Sequence, residues 1–399
     1  EPEDFSFYEK MKVPPPTWCP QCRIHRRFIW RNERVLFRRP DSLTGKDIFS
    51  GFPLQVKANI YEEEYWRSDA FDPMEYGRDY DFSKSFFEQF HDLLYSVPWP
   101  SRAIQFCVNS DYINQADYCK NTYLVHDAGH IENSAYIVRA NYIKDSFDML
   151  DVASNELSYD STLVADGYRV LYSVDCIECN DIWLSKDLHG CSHCIGSAGL
   201  RGKSYFIFNK AYSKEEYSKE FEKLKLHTYS GLEAARKKAY EIWQKTPVKF
   251  YRGKLLVDCV ADNALRSKNC KECWDIREVK DLKFCQIVVG DATDSYDYSV
   301  WGVNASQMYE CMCCGDQADQ IKFCFDCWPN CNNLEYSMMC RSSSDLFGCV
   351  GLKRKQYCVL NKQYTKEQYE NLVGRIKKQM EELPFTDSRG RVYKYGEFF

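Results

Sequence analysis

Large apolar residues return along this chain at an interval that is neither the 3.6 of a helix nor the 2 of a simple strand. In the first half they fall at Tyr123, Tyr136, Phe147, Tyr159, Tyr172, Trp183, Cys194 and Tyr205, and in the second at Cys273, Cys285, Tyr298, Cys311, Cys324, Tyr336 and Cys349. Every step is between 11 and 13 residues. Inside each step a short β-favouring run such as TYLV, AYIV or QIVV is closed by Asn, Asp, Gly or Ser, too short for a helix and too regular for a loop. The pattern predicts a mainly β protein of two tandem β-solenoid (β-helix-like) lobes with repeats of about 12 residues. One inward-facing large residue per step, stacked on its neighbours about 4.8 Å above and below, accounts for the aromatics and the cysteines as core ladders. The spacing alone leaves open whether one step is a whole narrow coil or half of a wider one.

A second periodicity appears where the repeats stop. GLRGKSYFIFNKAYSKEEY, beginning at Gly199, returns as GLKRKQYCVLNKQYTKEQY, beginning at Gly351, with 10 of 19 positions identical. Each copy ends in a capping box, Ser213 with Glu216 and Thr365 with Gln368, and so predicts a helix that closes its lobe. Tyr217, Phe221 and Leu224 in the first, and Tyr369, Leu372, Ile376 and Met380 in the second, keep helical spacing. A further helix from about Gly231 to Lys245, stopped by Pro247, follows the first cap. Upstream, SKSFFEQFHDLLYSV reads as an amphipathic helix burying Phe86, Phe87, Phe90 and Leu94. The expected organisation is an N-terminal α+β, zinc-ribbon-like module over 1–100, lobe one over 101–212, a helical cap and linker over 213–250, lobe two over 251–364, and a C-terminal capping helix and tail over 365–399.

Composition narrows the function classes. With 53 basic and 58 acidic residues the net charge is −5, so no global field draws the chain to nucleic acid or anionic lipid. No run approaches 18 consecutive apolar residues, and the charged, Pro-rich start EPEDFSFYEKMKVPPP does not read as a signal peptide. Neither a membrane span nor a membrane partner is expected. Twenty-one cysteines, an odd number, in a chain of 399 residues fit a cytoplasmic or other reducing compartment, or a virion, better than a secreted disulfide scaffold. Oligomeric state is not legible.

Local charge is less even. Arg23, Arg26, Arg27, Arg31, Arg34, Arg38 and Arg39, interleaved with Phe28, Trp30 and Phe37, follow a Cys-Pro-x-Cys knuckle at Cys19 and Cys22. Basic and aromatic residues together form a nucleic-acid signature. The acidic stretch Tyr61 to Phe82 offers a complement inside one small domain, in which case the basic residues pair internally or serve a protein interface. Cys19 and Cys22 are half of a zinc site, and His25 is the nearest further ligand. The stretches CPQCRIHRR, WRNERVLFRR, SLTGKDIFS, YWRSDAFDPMEYGRDYDFSKSFFEQF and LFGCVGLKRKQYCVLNKQYTKEQY resemble an uncharacterised zinc-ribbon plus cysteine-rich repeat family of environmental bacterial and viral genomes. The resemblance covers most of the chain and implies a ribbon with further cysteines near the TGK stretch. This sequence departs from that pattern with Pro40 and Asp41. No activity transfers with it.

Two cysteine quartets have zinc-like spacing: Cys176, Cys179, Cys191 and Cys194, the first choice, and Cys311, Cys314, Cys324 and Cys327, the second. A structural zinc there requires that the pairs stack on adjacent narrow coils; otherwise the thiols pack as small hydrophobes. For catalysis the candidates are His126, Asp127 and His130 in HDAGH, and Asp291, Asp294 and Asp297 in GDATDSYD, which a solenoid could present to a polysaccharide. The reading this supports is a non-enzymatic binding or structural scaffold with protein partners in a larger assembly. A nucleic-acid-binding protein using residues 23–39 is the alternative, and a carbohydrate-active β-helix enzyme the second alternative.

Overall fold

The steps resolve into triplets. In the computed structural model, which describes residues 1–397, every third side chain from Ser110 to Ser197 is buried. From Gln115 to Phe208 every third residue has a φ between +46° and +72°. A left-handed residue bends the chain sharply, at about 1–2 kcal/mol for a residue with a Cβ, and Asn and Asp tolerate it best. Asn121, Asp127, Asn133 and Asp145 are among those that occupy it. Burying one Val or Ile contributes about 1.5–3 kcal/mol, so a triplet with such a residue inside more than offsets its bend.

Pairing follows from the bends. Val125 lies beside Ile137 and Ile137 beside Met149, while Val152, Val164, Cys176 and Leu188 form another column, each residue paired with the one 12 positions on. A single step of the repeat therefore returns the chain to its own flank. Every ladder from Ile104–Gln105 to Ser204–Ile207 is parallel. A second parallel array runs from Gly253–Lys254 to Gln356–Val359. Its step is 12 at Ala261 to Cys273, lengthens to 13 at Tyr296 to Tyr309, and returns to 12 at Leu334 to Leu346. Within it the strands Lys271–Arg277, Lys280–Lys283, Thr293–Ser299 and Gln286–Val289 close a ring of four parallel ladders. Each array ends in a two-residue antiparallel return, Phe206 with Ala211 and Cys358 with Gln363, and then enters its capped helix.

The interior differs from the expected one. In the first array its lining is mainly Ile, Val, Ala, Ser and Cys, with Met149 and Leu188, whereas Tyr123, Tyr136 and Tyr159 stand at least 38% exposed on the outside. Three-residue sides leave no room within for aromatic rings; in the second array Tyr298 is an exception, fully buried in the core. Serine holds the backbone together inside. The Oγ atoms of Ser161, Ser173 and Ser185 accept the backbone N–H of Ser173, Ser185 and Ser197 respectively, at 3.0–3.1 Å. Each donates in turn to the carbonyl two residues before it, as Ser185 does to Trp183 at 2.8 Å. Cysteine takes the same post: the Cys324 Sγ accepts from the Ser337 N–H, and the Cys179 thiol donates to the carbonyls of Ile177 and Leu188.

The chain forms two compact units that cut across the expected N-terminal module. One comprises residues 1–32, 55–100 and 250–399, and the other residues 33–54 and 101–249. In the first, helices α1 (Asp4–Met11), α2 (Pro20–Phe28), α3 (Glu63–Arg67) and α4 (Phe86–Ser96) accompany the second parallel array. Phe7 stacks on Tyr296 at 3.9 Å, and Phe86 meets Tyr336 and Phe347 at 5.1 and 5.0 Å. In the second unit, α5 (Lys214–Leu224) and α6 (Tyr229–Lys245) cover Leu184, Ile195 and Ile207. The C-terminal helix α7 (Lys366–Glu382) buries Tyr369, Ile376 and Met380 in the first unit. Both predicted capping boxes are formed. No helix among the described residues is long and apolar enough to cross a membrane.

The serine column predicts a specific response. Ser185→Ala should lower unfolding stability in urea by about 1–3 kcal/mol, because the Ser197 N–H loses its buried acceptor. Ser185→Cys should be milder, since cysteine fills equivalent posts; equal losses would show that volume, not hydrogen bonding, matters there.

Candidate functional site

The residues proposed from sequence disperse when the chain folds. Arg23, Arg26 and Arg27 lie on α2 and are 3%, 7% and 0% exposed. They point at two buried carboxylates of the second array, Asp297 and Glu310. Arg23 Nε lies 2.9 Å from Asp297, Arg27 Nη1 3.1 Å from the same oxygen, and Arg26 Nη2 2.7 Å from Glu310. Arg27 also donates to Ser299 Oγ and to the Phe284 carbonyl. Burial, with Asp297 alongside, pushes the Glu310 carboxyl above its usual range. Burial alone would weaken the charge on Arg23, but Asp297 outweighs it and raises that pKa.

The nearest carboxylate partners of Arg23, Arg26 and Arg27 thus belong to the second parallel array, far along the sequence, and not to the acidic stretch 61–82. That stretch pairs elsewhere: Asp69 with Arg354, Asp79 with Lys362, and Glu63 with Arg67. Trp30 lies near Trp99 and Phe325, and Arg31 donates to the Cys313 sulfur. Arg39 is buried; Arg34 and Arg38 are exposed, Arg38 paired with Asp47. With Arg23, Arg26, Arg27 and Arg39 buried, the segment does not present one open stripe of the kind phosphate contacts need.

Register separates the first cysteine quartet and stacks the second. In the first, the two pairs are offset by one full step plus one triplet, so Cys179 stacks with Cys191 while Cys176 stacks with Leu188 and Cys194 with Ile182. In the second array, where the step is 13, Cys311 does stack with Cys324 and Cys314 with Cys327. Even so, their thiols donate to backbone carbonyls, Cys311 to Tyr309 and Ile321 and Cys314 to Met312 and Cys324. Among the described residues the one group of three or more His, Cys, Asp or Glu ligand atoms within 4.8 Å of one another is Asp175, Asp187 and His189. Asp187 there already holds Arg201 at 2.7 Å and Lys249 at 3.0 Å, two cations that a metal would have to displace. Cys19 is the N-cap of α2, its sulfur accepting from the Cys22 N–H, a contact that lowers its pKa. Cys19, Cys22 and His25 are all exposed, and among the described residues they do not form a group of three ligand atoms within that distance.

The catalytic candidates do not converge either. Asp291, Asp294 and Asp297 occupy successive left-handed bends, and residues three apart lie on successive sides of a turn. Asp294 pairs with Lys10, and Asp297 is locked between Arg23 and Arg27. His126 is buried, and burial holds its pKa below the usual value. His130 is stacked between Tyr118 and Tyr142, 4.7 and 4.6 Å away. Among these candidates no nucleophile, base and orienting group meet.

Sequence reasoning took Asp297 only as one of three candidate catalytic acids, missed Glu310, and paired neither with the arginines. Their signal was an acid inside an otherwise apolar run, YDYSV and MYECM. It also missed the triplet rule that fixes which cysteines can meet. No protein-family model matches the chain, and no curated protein matches it.

The buried ion network yields a contrast. Asp297→Ala should destabilise the unit by about 3–5 kcal/mol by stranding two arginines. Arg38→Ala, which removes an exposed pair, should change stability by less than about 1 kcal/mol. Equilibrium urea unfolding followed by tryptophan fluorescence measures both, and comparable losses would contradict the assignment.

Proposed function

We propose that this chain is a non-enzymatic binding scaffold, built from two β-solenoid units of 11- to 13-residue turns, that joins a larger assembly through a protein partner. The observation that carries this reading is the periodic exterior of the first array. Phe106, Tyr118, His130 and Tyr142 form a column with ring centroids 4.9, 4.7 and 4.6 Å apart. One bend away, the amides of Asn109, Asn121 and Asn133 each donate to the next side chain of a second column ending at Asp145, at 2.9–3.2 Å. Phe106 is 64% exposed and Tyr142 60%.

A flat run of aromatic edges beside a polar column suits a protein surface, where aromatic residues supply anchor area and the polar rim fixes register. A sugar stacks on a free ring face, and here the ring faces are taken up by one another. A nucleic-acid backbone needs accessible cations, and the arginines of α2 are committed to carboxylates.

Purification of the native complex followed by lysine cross-linking tests the proposal. The expected result is a protein at fixed stoichiometry, cross-linked at the exposed Lys120 and Lys144. The Tyr118→Asp/Tyr142→Asp double variant should weaken that association at least about tenfold, or about 1.4 kcal/mol, with the circular dichroism unchanged. A nuclease-sensitive, salt-sensitive complex with nucleic acid, or cleavage of a polysaccharide by the purified chain, would overturn it.

A further inference from the structure

Of the 21 cysteines, Cys19 and Cys22 are exposed and 17 are buried; the two that are half-buried are Cys107 and Cys259. Their separation in the sequence equals the offset between the duplicated stretches at Gly199 and Gly351. Each lies on the first turn of its parallel array, and each has a cysteine beside it on the next turn. Val108 pairs with Lys120 and Gln105 with Asp117, so Cys107 lies against Cys119. Val257 pairs with Lys268 and the Val260 N–H donates to the Cys270 carbonyl at 2.7 Å, so Cys259 lies against Cys270. All four thiols donate to backbone carbonyls, Cys107 to Gln105 and Cys119 to Asp117, Cys259 to Val257 and Cys270 to Lys268. The partners, Cys119 and Cys270, are buried.

Neighbouring strands are about 4.7–4.9 Å apart, inside the Cα separation of about 4.4–6.8 Å that a disulfide spans. We propose that Cys107–Cys119 and Cys259–Cys270 are disulfide-forming sites, one at the opening turn of each array, that close on reaction with a low-molecular-weight disulfide. The half-buried thiol loses its proton to solvent, and its thiolate attacks a sulfur of the small disulfide. A mixed disulfide forms and one small thiolate leaves. The buried partner then gives up its proton and attacks the protein-bound sulfur, releasing the second small thiolate. The protein dithiol is oxidised by two electrons and the small disulfide reduced by two. The Cys119 side chain next to it brings the Cys107 thiol down to about 7, which favours the first step in that pair. Stacked pairs deeper in the arrays, such as Cys311 with Cys324, have similar register but both members fully buried, so the first attack is closed to them. The consequence is mechanical: an array frays from its first turn, and a covalent tie between turns one and two blocks that opening.

Oxidised glutathione added to the folded full chain, followed by acid quench and tryptic mapping without reductant, tests this. The expected result is a peptide carrying both Cys107 and Cys119 that is two hydrogens lighter, together with a linked pair of peptides carrying Cys259 and Cys270. Amide exchange at Lys120 should slow about tenfold or more on oxidation, and should not slow in Cys107→Ser, a substitution the fold accommodates because serine occupies equivalent inward posts. Recovery of Cys107 and Cys259 as free thiols, as glutathione adducts without closure, or linked to cysteines other than their stacked partners would overturn the proposal. Closure in one array alone would overturn it for the other.

Discussion

A bend into the left-handed region at every third residue is the constraint on which this protein depends. It divides the chain into short, equal sides and turns one side chain per triplet inward. It also returns the backbone to its own flank after each step of the repeat, where parallel hydrogen bonding secures it. Each bend is unfavourable for a residue with a Cβ. The ladders on both flanks hold it in place, and no triplet would keep its shape alone. The narrow interior then selects the lining. Ile and Val fill it, while Ser and Cys, small and able to donate to a carbonyl, occupy posts where the backbone needs a partner. The high cysteine content is largely a consequence of this geometry.

The second array carries something the first does not. Two acids within its apolar runs, Asp297 and Glu310, are fully buried and would be untenable alone. Three arginines from a single turn and a half of α2 converge on them, so the N-terminal segment is a structural part of that unit. Such a network adds less net stability than its short distances suggest, because five charges were desolvated to form it. Its effect is specificity: α2 can sit in one register only, since any slip would strand a charge in the interior.

Much of the fold was legible in the sequence. The recurrence near 12, the two duplicated endings and both capping boxes were read directly, because each is a local pattern with a local physical cause. The placement of the aromatics was not. Size suggested an interior position for Tyr123 and Tyr136, but what decides is phase within the triplet, and a pattern of period three is easily hidden when Ser, Ala, Cys and Ile share the inward post. The partners of the basic segment were also hidden. Charge balance pointed to the nearby acids of the 61–82 stretch, whereas the fold pairs Arg23, Arg26 and Arg27 with carboxylates of the second array, a relation no composition reveals. Which members of the zinc-like spacings meet was hidden for a related reason, since the step of the repeat decides that Cys176 stacks with Leu188 while Cys311 stacks with Cys324.

The central claim, that residues one repeat apart stack in a single column, is tested most directly by distance measurement along such a column. Spin labels carried on non-canonical amino acids avoid the native thiols. Placed at Asn109 and Leu157, then at Asn109 and Arg169, they probe separations of four and five turns. Pulsed dipolar spectroscopy should give narrow distributions centred on about 19 and 24 Å, rising by about 4.8 Å per turn. Broad distributions, or separations that do not grow by one strand spacing for every repeat of the sequence, would contradict the account.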